Sequence, residues 1–202
     1  MKIVLINGAP GSGKDTMGKM LEEHYNCDNG EERYEPLRAE VVKFAGVIKR
    51  AATAIYCGGD RDLFDYLDTH ERKNEKQDLF LGKSCREVQI GISENFMKPF
   101  HDEGVFGKIA ANEIQQLIEE ETEYFFVTDS GFRQEAVELV NRFGVENVIL
   151  IRLHREGYTY TGDSRSHIDL ADLGVRCYDT TQIEGKPEFA FKNIINIIDK
   201  GE

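Results

Sequence analysis

Lys2 to Thr16, KIVLINGAPGSGKDT, is the stretch on which the reading of the whole chain turns. Ile3-Val4-Leu5-Ile6 is a continuous, β-branched apolar run, the pattern of a short strand buried on both faces rather than one alternating between core and water. Behind it, Gly8, Gly13 and Lys14 fall in the register of GxxxxGK[ST], the Walker A loop; Asp15 takes the hydroxyl position and Thr16 comes one residue late. Gly8, Gly11 and Gly13, with Ala9 and Ser12 between them, leave backbone N–H groups free to close on phosphate oxygens where a Cβ would obstruct them. Lys14 adds a mobile positive charge at the β/γ-phosphates. From Lys14 to His24, Met17, Met20 and Leu21 recur at helical spacing, so the loop feeds a helix N-terminus whose dipole also favours an anion. The bland alternative is a glycine-rich turn between a strand and a helix. The strand before the loop and the helix behind it favour nucleotide phosphate binding.

The rest of the composition narrows the class. A chain of 202 residues fits one ordinary domain, 1–202, with room for an insertion, and can bury an adequate core. A net charge of −12 argues against a nucleic-acid footprint, which demands a basic face, and predicts that positive charge is concentrated where phosphates bind. Cys27, Cys57, Cys85 and Cys177 form no CxxC pair and no His/Cys cluster suited to zinc, so reduced thiols are expected. No signal-peptide pattern opens the chain and no apolar run approaches the ~20 residues that span a bilayer. The expectation is a cytoplasmic protein with small-molecule nucleotide partners, no nucleic acid and no membrane.

Along the chain, Asn26–Arg38 reads as a polar surface loop, Ala39–Phe44 as a second strand and Ala45–Tyr56 as a helix stopped by Gly58-Gly59. Asp60–Lys83 is charged and weakly periodic and yields no placement. Ser84 and Glu87 form a capping box for a helix with Val88, Ile92 and Phe96 on its apolar face, ended by Pro99. A further helix runs from Val105 to Glu121. Tyr124–Thr128 is a third strand with Asp129 at its end, Phe132–Phe143 a helix capped by Gly144, Asn147–Leu153 a fourth strand, and Val175–Asp179 a short last one. Phe191, Ile194, Ile195 and Ile198 mark a closing helix. Alternating strands and helices predict an α/β/α three-layer fold around a five-stranded parallel sheet, with ligands at the carboxyl ends of the strands where strand order reverses.

These pieces resemble the nucleoside monophosphate kinase branch of the P-loop proteins: GAPGSGKDT differs at one residue from the GAPGSGKGT of adenylate kinases, and the order of elements agrees. The resemblance is closer to the deoxynucleoside monophosphate kinases of tailed bacteriophages. It rests on the GKDT ending, on Phe44-Ala45-Gly46-Val47-Ile48-Lys49, on Asp129…Arg133…Glu135 and on HREG…GDSRSH. It implies a helical monophosphate-binding insertion over about 45–122, a short lid over about 154–167, ATP as donor, Mg²⁺ as cofactor, a homodimer, and the host cytoplasm as its location if the origin is phage. The chain departs from the pattern where Ser130-Gly131-Phe132 separates Asp129 from Arg133, and where Lys98 stands in place of an arginine.

Phosphoryl transfer needs two substrates aligned, charge neutralised and water excluded, so the candidates are cations from separate segments. Lys14 leads. Arg155 and Arg165 bracket the lid the resemblance implies, and their planar forks suit phosphate oxygens. Lys49, Arg86 and Arg133, with Arg50, are candidates for the acceptor phosphate. Thr16 donates its hydroxyl to a phosphate or to a magnesium-bound water. Asp15 either sits in the outer metal shell or stabilises the first helical turn, worth ~0.3–1 kcal/mol. Asp129 either holds magnesium, mostly through water, or caps the helix starting near Phe132. Tyr158, Tyr160 and Phe44 either stack on a base or pack locally. The function expected is ATP-dependent phosphorylation of a (deoxy)nucleoside monophosphate; the alternatives are a kinase of a phosphorylated non-nucleotide metabolite and a nucleotide-binding switch.

Overall fold

A computed structural model describes residues 1–27, 38–69, 71–163 and 165–201. Most of the expected loop Asn26–Arg38, residues 28–37, lies outside them. The chain divides into two compact units, Met1–Phe44 with Gly107–Glu202, and Ala45–Phe106.

The first unit is built on β1 (Lys2–Asn7), followed by α1 (Lys14–Asn26) and β2 (Arg38–Val42). The second holds α2 (Gly46–Tyr56), α3 (Arg61–Leu67), a two-residue antiparallel pair β3 (Lys76–Gln77) and β4 (Lys83–Ser84), α4 (Cys85–Ile90), a π-helical stretch Gly91–Met97, and α5 (Lys98–Phe100). α6 (Val105–Glu119) belongs to the first unit from Gly107 on. The first unit then completes itself with β5 (Thr122–Ser130), α7 (Arg133–Phe143), β6 (Val148–Arg155), β7 (Arg176–Gln182) and α8 (Pro187–Lys200).

The sheet of the first unit has five strands in the order β2-β5-β1-β6-β7, every pair parallel. From β1 the chain moves through α1 toward β2, and from β5 through α7 it moves the other way to β6. Right-handed crossovers therefore place α1 and α7 on opposite faces. Both faces being covered, Ile3 to Ile6 are all 0% exposed, which is why β1 reads as a continuous apolar run. Val4, Ile6, Phe126, Ile149 and Ile151 pack against Met17 and Leu21 of α1 and Ile194 and Ile198 of α8; Ile3, Leu5, Phe125, Val127 and Leu150 have the opposite parity and face the other layer. The edge strand β2 is partly satisfied by side chains of α1: Asn26 bonds both the N–H and the C=O of Ala39, and the Glu22 carboxylate accepts from the N–H of Val41. Among the described residues no helix is long and apolar enough to cross a membrane.

The second unit has its own small core of Ala52, Phe64, Leu67, Phe80, Cys85 and Val88. Its capping box forms as expected, with Ser84 Oγ accepting from the N–H of Glu87 and Glu87 accepting from the N–H of Ser84. The helix behind it differs from expectation. From Gly91 to Met97 the turns are π-helical, the N–H of Lys98 reaching the carbonyl of Ser93, so a 3.6-residue period no longer holds and Phe96 turns outward to 59% exposure. The segment ends at Phe100, one residue past Pro99.

Candidate phosphate site

The strand ends that converge at the switch of strand order are those of β1, β5, β6 and β7, and each delivers part of one site. After β1 the loop turns with the N–H of Ser12 on the carbonyl of Ala9, and α1 starts from Gly13 in the left-handed region, φ 95°. The glycines are required by approach as well as by dihedral: a Cβ at Gly8 would lie 2.6 Å from the Leu153 carbonyl oxygen, and one at Gly11 2.5 Å from the Tyr158 ring.

Lys14 folds back over this loop, its Nζ donating to the carbonyls of Gly8 at 2.7 Å and Ala9 at 2.8 Å. Burial, and then the positive charge of Arg165, lower its pKa to about 8 against the opposing pull of Asp15, Asp129 and Asp163. Five charged side chains from α1, β5 and the segment after β6 thus act on one another at this edge.

Asp15 has the place that the first-turn role requires, and it also makes contacts that neither expectation named. It stands in the first turn of α1, and its Oδ1 accepts from Lys43 Nζ at 2.6 Å and from the Thr128 hydroxyl at 3.1 Å, joining α1 to the ends of β2 and β5. Burial pushes its carboxyl up, but the Lys43 hydrogen bond and charge, with Thr128 and Lys14, bring it below the usual carboxylate range. Thr16 is exposed in the same turn.

Asp129 is not a helix cap, which removes that alternative. β5 continues through Ser130, the residue before α7 is Phe132, and the Asp129 carboxylate accepts from the backbone N–H of Phe44 at 3.0 Å. Against β1 the register slips: Leu5 faces Val127 but Asn7 faces Ser130. This bulge absorbs an extra residue at Thr128–Asp129, and bulges at a sheet rim re-aim side chains.

The expected lid is tied down at both ends. His154 and Arg155 belong to β6. Arg155 reaches the loop, donating to the Gly11 carbonyl at 3.0 Å and to Glu184 at 3.0 Å, with its guanidinium 4.4 Å above the Tyr158 ring. Arg165 is held by Asp163 through Nε at 2.8 Å and a terminal nitrogen at 2.7 Å. Asn7, at the end of β1, receives the N–H of Ile168 and a His167 nitrogen on its oxygen, and offers its amide to the carbonyls of Ser130 and Ser166 and to the Tyr160 hydroxyl. Tyr160 is hydrogen-bonded by Asn7 and Phe44 is buried, so both have local packing; burial raises the Tyr160 phenol to about 12.

Three of the four acceptor-phosphate candidates are engaged elsewhere or exposed. Arg133 donates to the Asp169 carbonyl at 3.0 Å and to the Asp172 carboxylate at 2.6 Å, on the wall of a groove of about 490 Å³. In the second unit Lys49 pairs with Asp68, and Arg86 is exposed. Sequence reasoning missed Asn7, Lys43, Thr128, Gly131 and Asp163. Asn7, a polar residue closing a wholly apolar strand, carried a signal; the others are ordinary residues until the fold brings them together.

Four buried side-chain atoms among the described residues have no hydrogen-bond partner: Ser12 Oγ, Ser130 Oγ, Arg155 Nε and Gln182 Oε1. Each lies in the loop after β1 or at the last residue of β5, β6 or β7. Such atoms are uncommon in folded proteins, and four at one edge fit the polar groups of a ligand. The donors nearby also suit Mg²⁺, which takes hard oxygens, commonly one or two carboxylates together with substrate phosphates and water. Asp15, Asp129 and Thr16 supply these, and no cluster of three or more His, Cys, Asp or Glu side chains arranged to hold a metal occurs among the described residues.

No family model and no curated protein matches the chain. Among solved structures it is similar to a gluconokinase from Sinorhizobium meliloti, at 11% identity and a TM-score of 0.43 over 97% of this chain and 93% of that one. The site's own geometry therefore has to carry the functional reading.

Proposed function

We propose that this chain transfers the γ-phosphoryl group of ATP to a (deoxy)nucleoside monophosphate, with Mg²⁺. The observation that supports the transfer is the meeting, at one edge of the sheet, of a glycine loop closed over by Lys14 with four buried side-chain atoms that have no partner. Buried polar atoms left unpaired cost stability unless a ligand satisfies them, and a polyphosphate with its metal offers both the charge and the hydrogen-bonding oxygens to do so. On this reading the backbone of Gly8–Gly13 and the N-terminus of α1 cradle the donor phosphates. Lys14 and Arg165 neutralise the transferring group, Arg155 contributes from the end of β6, and Asp129, Asp15 and Thr16 hold the metal. Held there, magnesium would offset the charge of the donor phosphates. The acceptor class rests on the resemblance of the GKDT loop and the segments that accompany it.

The test is ADP release across a panel of nucleoside and deoxynucleoside monophosphates, alongside phosphorylated metabolites that lack a base. Turnover with one or a few monophosphates is expected. Turnover confined to metabolites without a base would transfer the acceptor to that class, and ATP binding without ADP release for any acceptor would make the protein a nucleotide-dependent switch.

A further inference from the structure

Arg165 is held from three sides by residues that have no part in the chemistry. Its guanidinium makes two hydrogen bonds to Asp163 and its backbone N–H a third, at 2.9 Å, while the Asp163 side chain is only 7% exposed. Charge-assisted bonds of this paired kind fix orientation as well as position. Its aliphatic stem lies on Gly131: a Cβ there would come within 2.6 to 2.8 Å of Cβ, Cγ and Cδ of Arg165. The next residue, Ser166, donates its N–H to the Gly131 carbonyl, and Ser166, His167 and Ile168 all bond Asn7.

We propose that Gly131 and Asp163 are positioning residues that seat Arg165 beside Lys14 before any nucleotide arrives, so that the arginine is a fixed part of the site and not one carried in by a closing lid. The inference rests on the phosphoryl-transfer reading. It also gives a use to Ser130-Gly131-Phe132: the bulge in β5 and the bare Gly131 that follows make room for the stem of Arg165 at the end of the strand that carries Asp129. Motion is then left to the segment before the seat, Glu156 to Gly162, where Gly157 and Gly162 adopt φ of 80° and 77°.

The test combines kinetics with the Nε–H resonance of Arg165 in the full chain, assigned by its loss in Arg165→Lys. In the nucleotide-free protein that proton should already exchange slowly. Gly131→Ala should displace the stem and lower kcat on the order of 10²-fold with the KM for ATP little changed, as expected of a misplaced group rather than a lost binding contact. Asp163→Asn should lower kcat less, because the amide oxygen still accepts from Arg165, and Asp163→Glu should recover part of the loss. The double variant should be less than additive. If Gly131→Ala fails to fold, the Asp163 pair decides alone. An Nε–H that becomes protected only when ATP is added, or turnover unchanged in Asp163→Asn, would overturn the proposal. Absence of ADP release by the unmodified chain would instead remove the transfer reading, and the resonance would still decide whether the seat exists.

Discussion

At the ends of β5, β6 and β7, Ser130, Arg155 and Gln182 each bury a polar atom that has no partner, and Ser12 does the same in the loop after β1. In the second unit, by contrast, the nearly buried carboxylate of Asp68 gathers Lys49, Gln89 and the Cys85 thiol. An unpaired buried polar atom costs about 1–3 kcal/mol, so a chain that can satisfy its polar groups in one place and leaves several unsatisfied in another is spending stability where a ligand can return it. The same contrast separates the cations. Lys49 is ion-paired with an acid of its own unit, whereas Lys14 donates to two backbone carbonyls and feels Arg165 against Asp15, Asp129 and Asp163.

The largest effect is expected at Lys14. Lys14→Ala should lower turnover ~10²–10³-fold, the usual loss for one electrostatic contact to developing charge, a larger effect than the stability lost when the Gly8 and Ala9 carbonyls lose their donor. Turnover that survives would break the contrast from the functional side. Asp68→Ala should behave in the opposite way, costing about 1–3 kcal/mol in chemical denaturation because Lys49, Gln89 and Cys85 lose their shared acceptor. A kcat loss exceeding the stability loss would show that the second unit's cluster acts in catalysis. Ser12→Ala is subtler. Removing a hydroxyl that has no partner should leave the nucleotide-free protein as stable as before, yet weaken ATP binding by about 0.5–1.5 kcal/mol in calorimetry; the reverse pattern would mean that the hydroxyl serves the fold.

The smallest effect belongs to neither group. Asp179, on β7, is hydrogen-bonded by Arg152 at 2.6 Å and lies 2.6 Å from His154, and chiefly the Arg152 bond holds its carboxyl at about 2. Because its folded pKa lies below the unfolded value, its stabilisation is present in full above about pH 4 and is lost as pH falls toward 2. With the side chain 53% exposed, water screens the pair and the contribution should stay under ~1 kcal/mol. Comparing acid unfolding of Asp179→Asn with the unmodified chain measures it. A larger loss would mean that surface charge, and not core packing, holds β6 to β7.

The sheet and the glycine loop were legible because their signals are contiguous: an unbroken apolar strand, then glycines and a lysine at fixed spacing. β3 and β4 were not, since two-residue strands have no period to read. The outward turn of Phe96 was hidden because a π-helical stretch leaves no mark in a 3.6-residue pattern. Arg155 and Arg165 could be named from the sequence, but their restraints could not. Asn7 meets partners more than a hundred residues away, and a glycine such as Gly131 shows its purpose only once a side chain lies across it. Asp129 allowed two readings until the extra residue in β5 put it inside the strand.

On the proposed reading, the carboxyl edge of this sheet moves a phosphoryl group from ATP to an acceptor. Following the label of γ-labelled ATP in the presence of each (deoxy)nucleoside monophosphate tests it most directly. Label is expected on the acceptor as a diphosphate, dependent on Mg²⁺ and lost in Lys14→Ala. Label that stays on ATP, or that appears as inorganic phosphate at the same rate with and without acceptor, would contradict it.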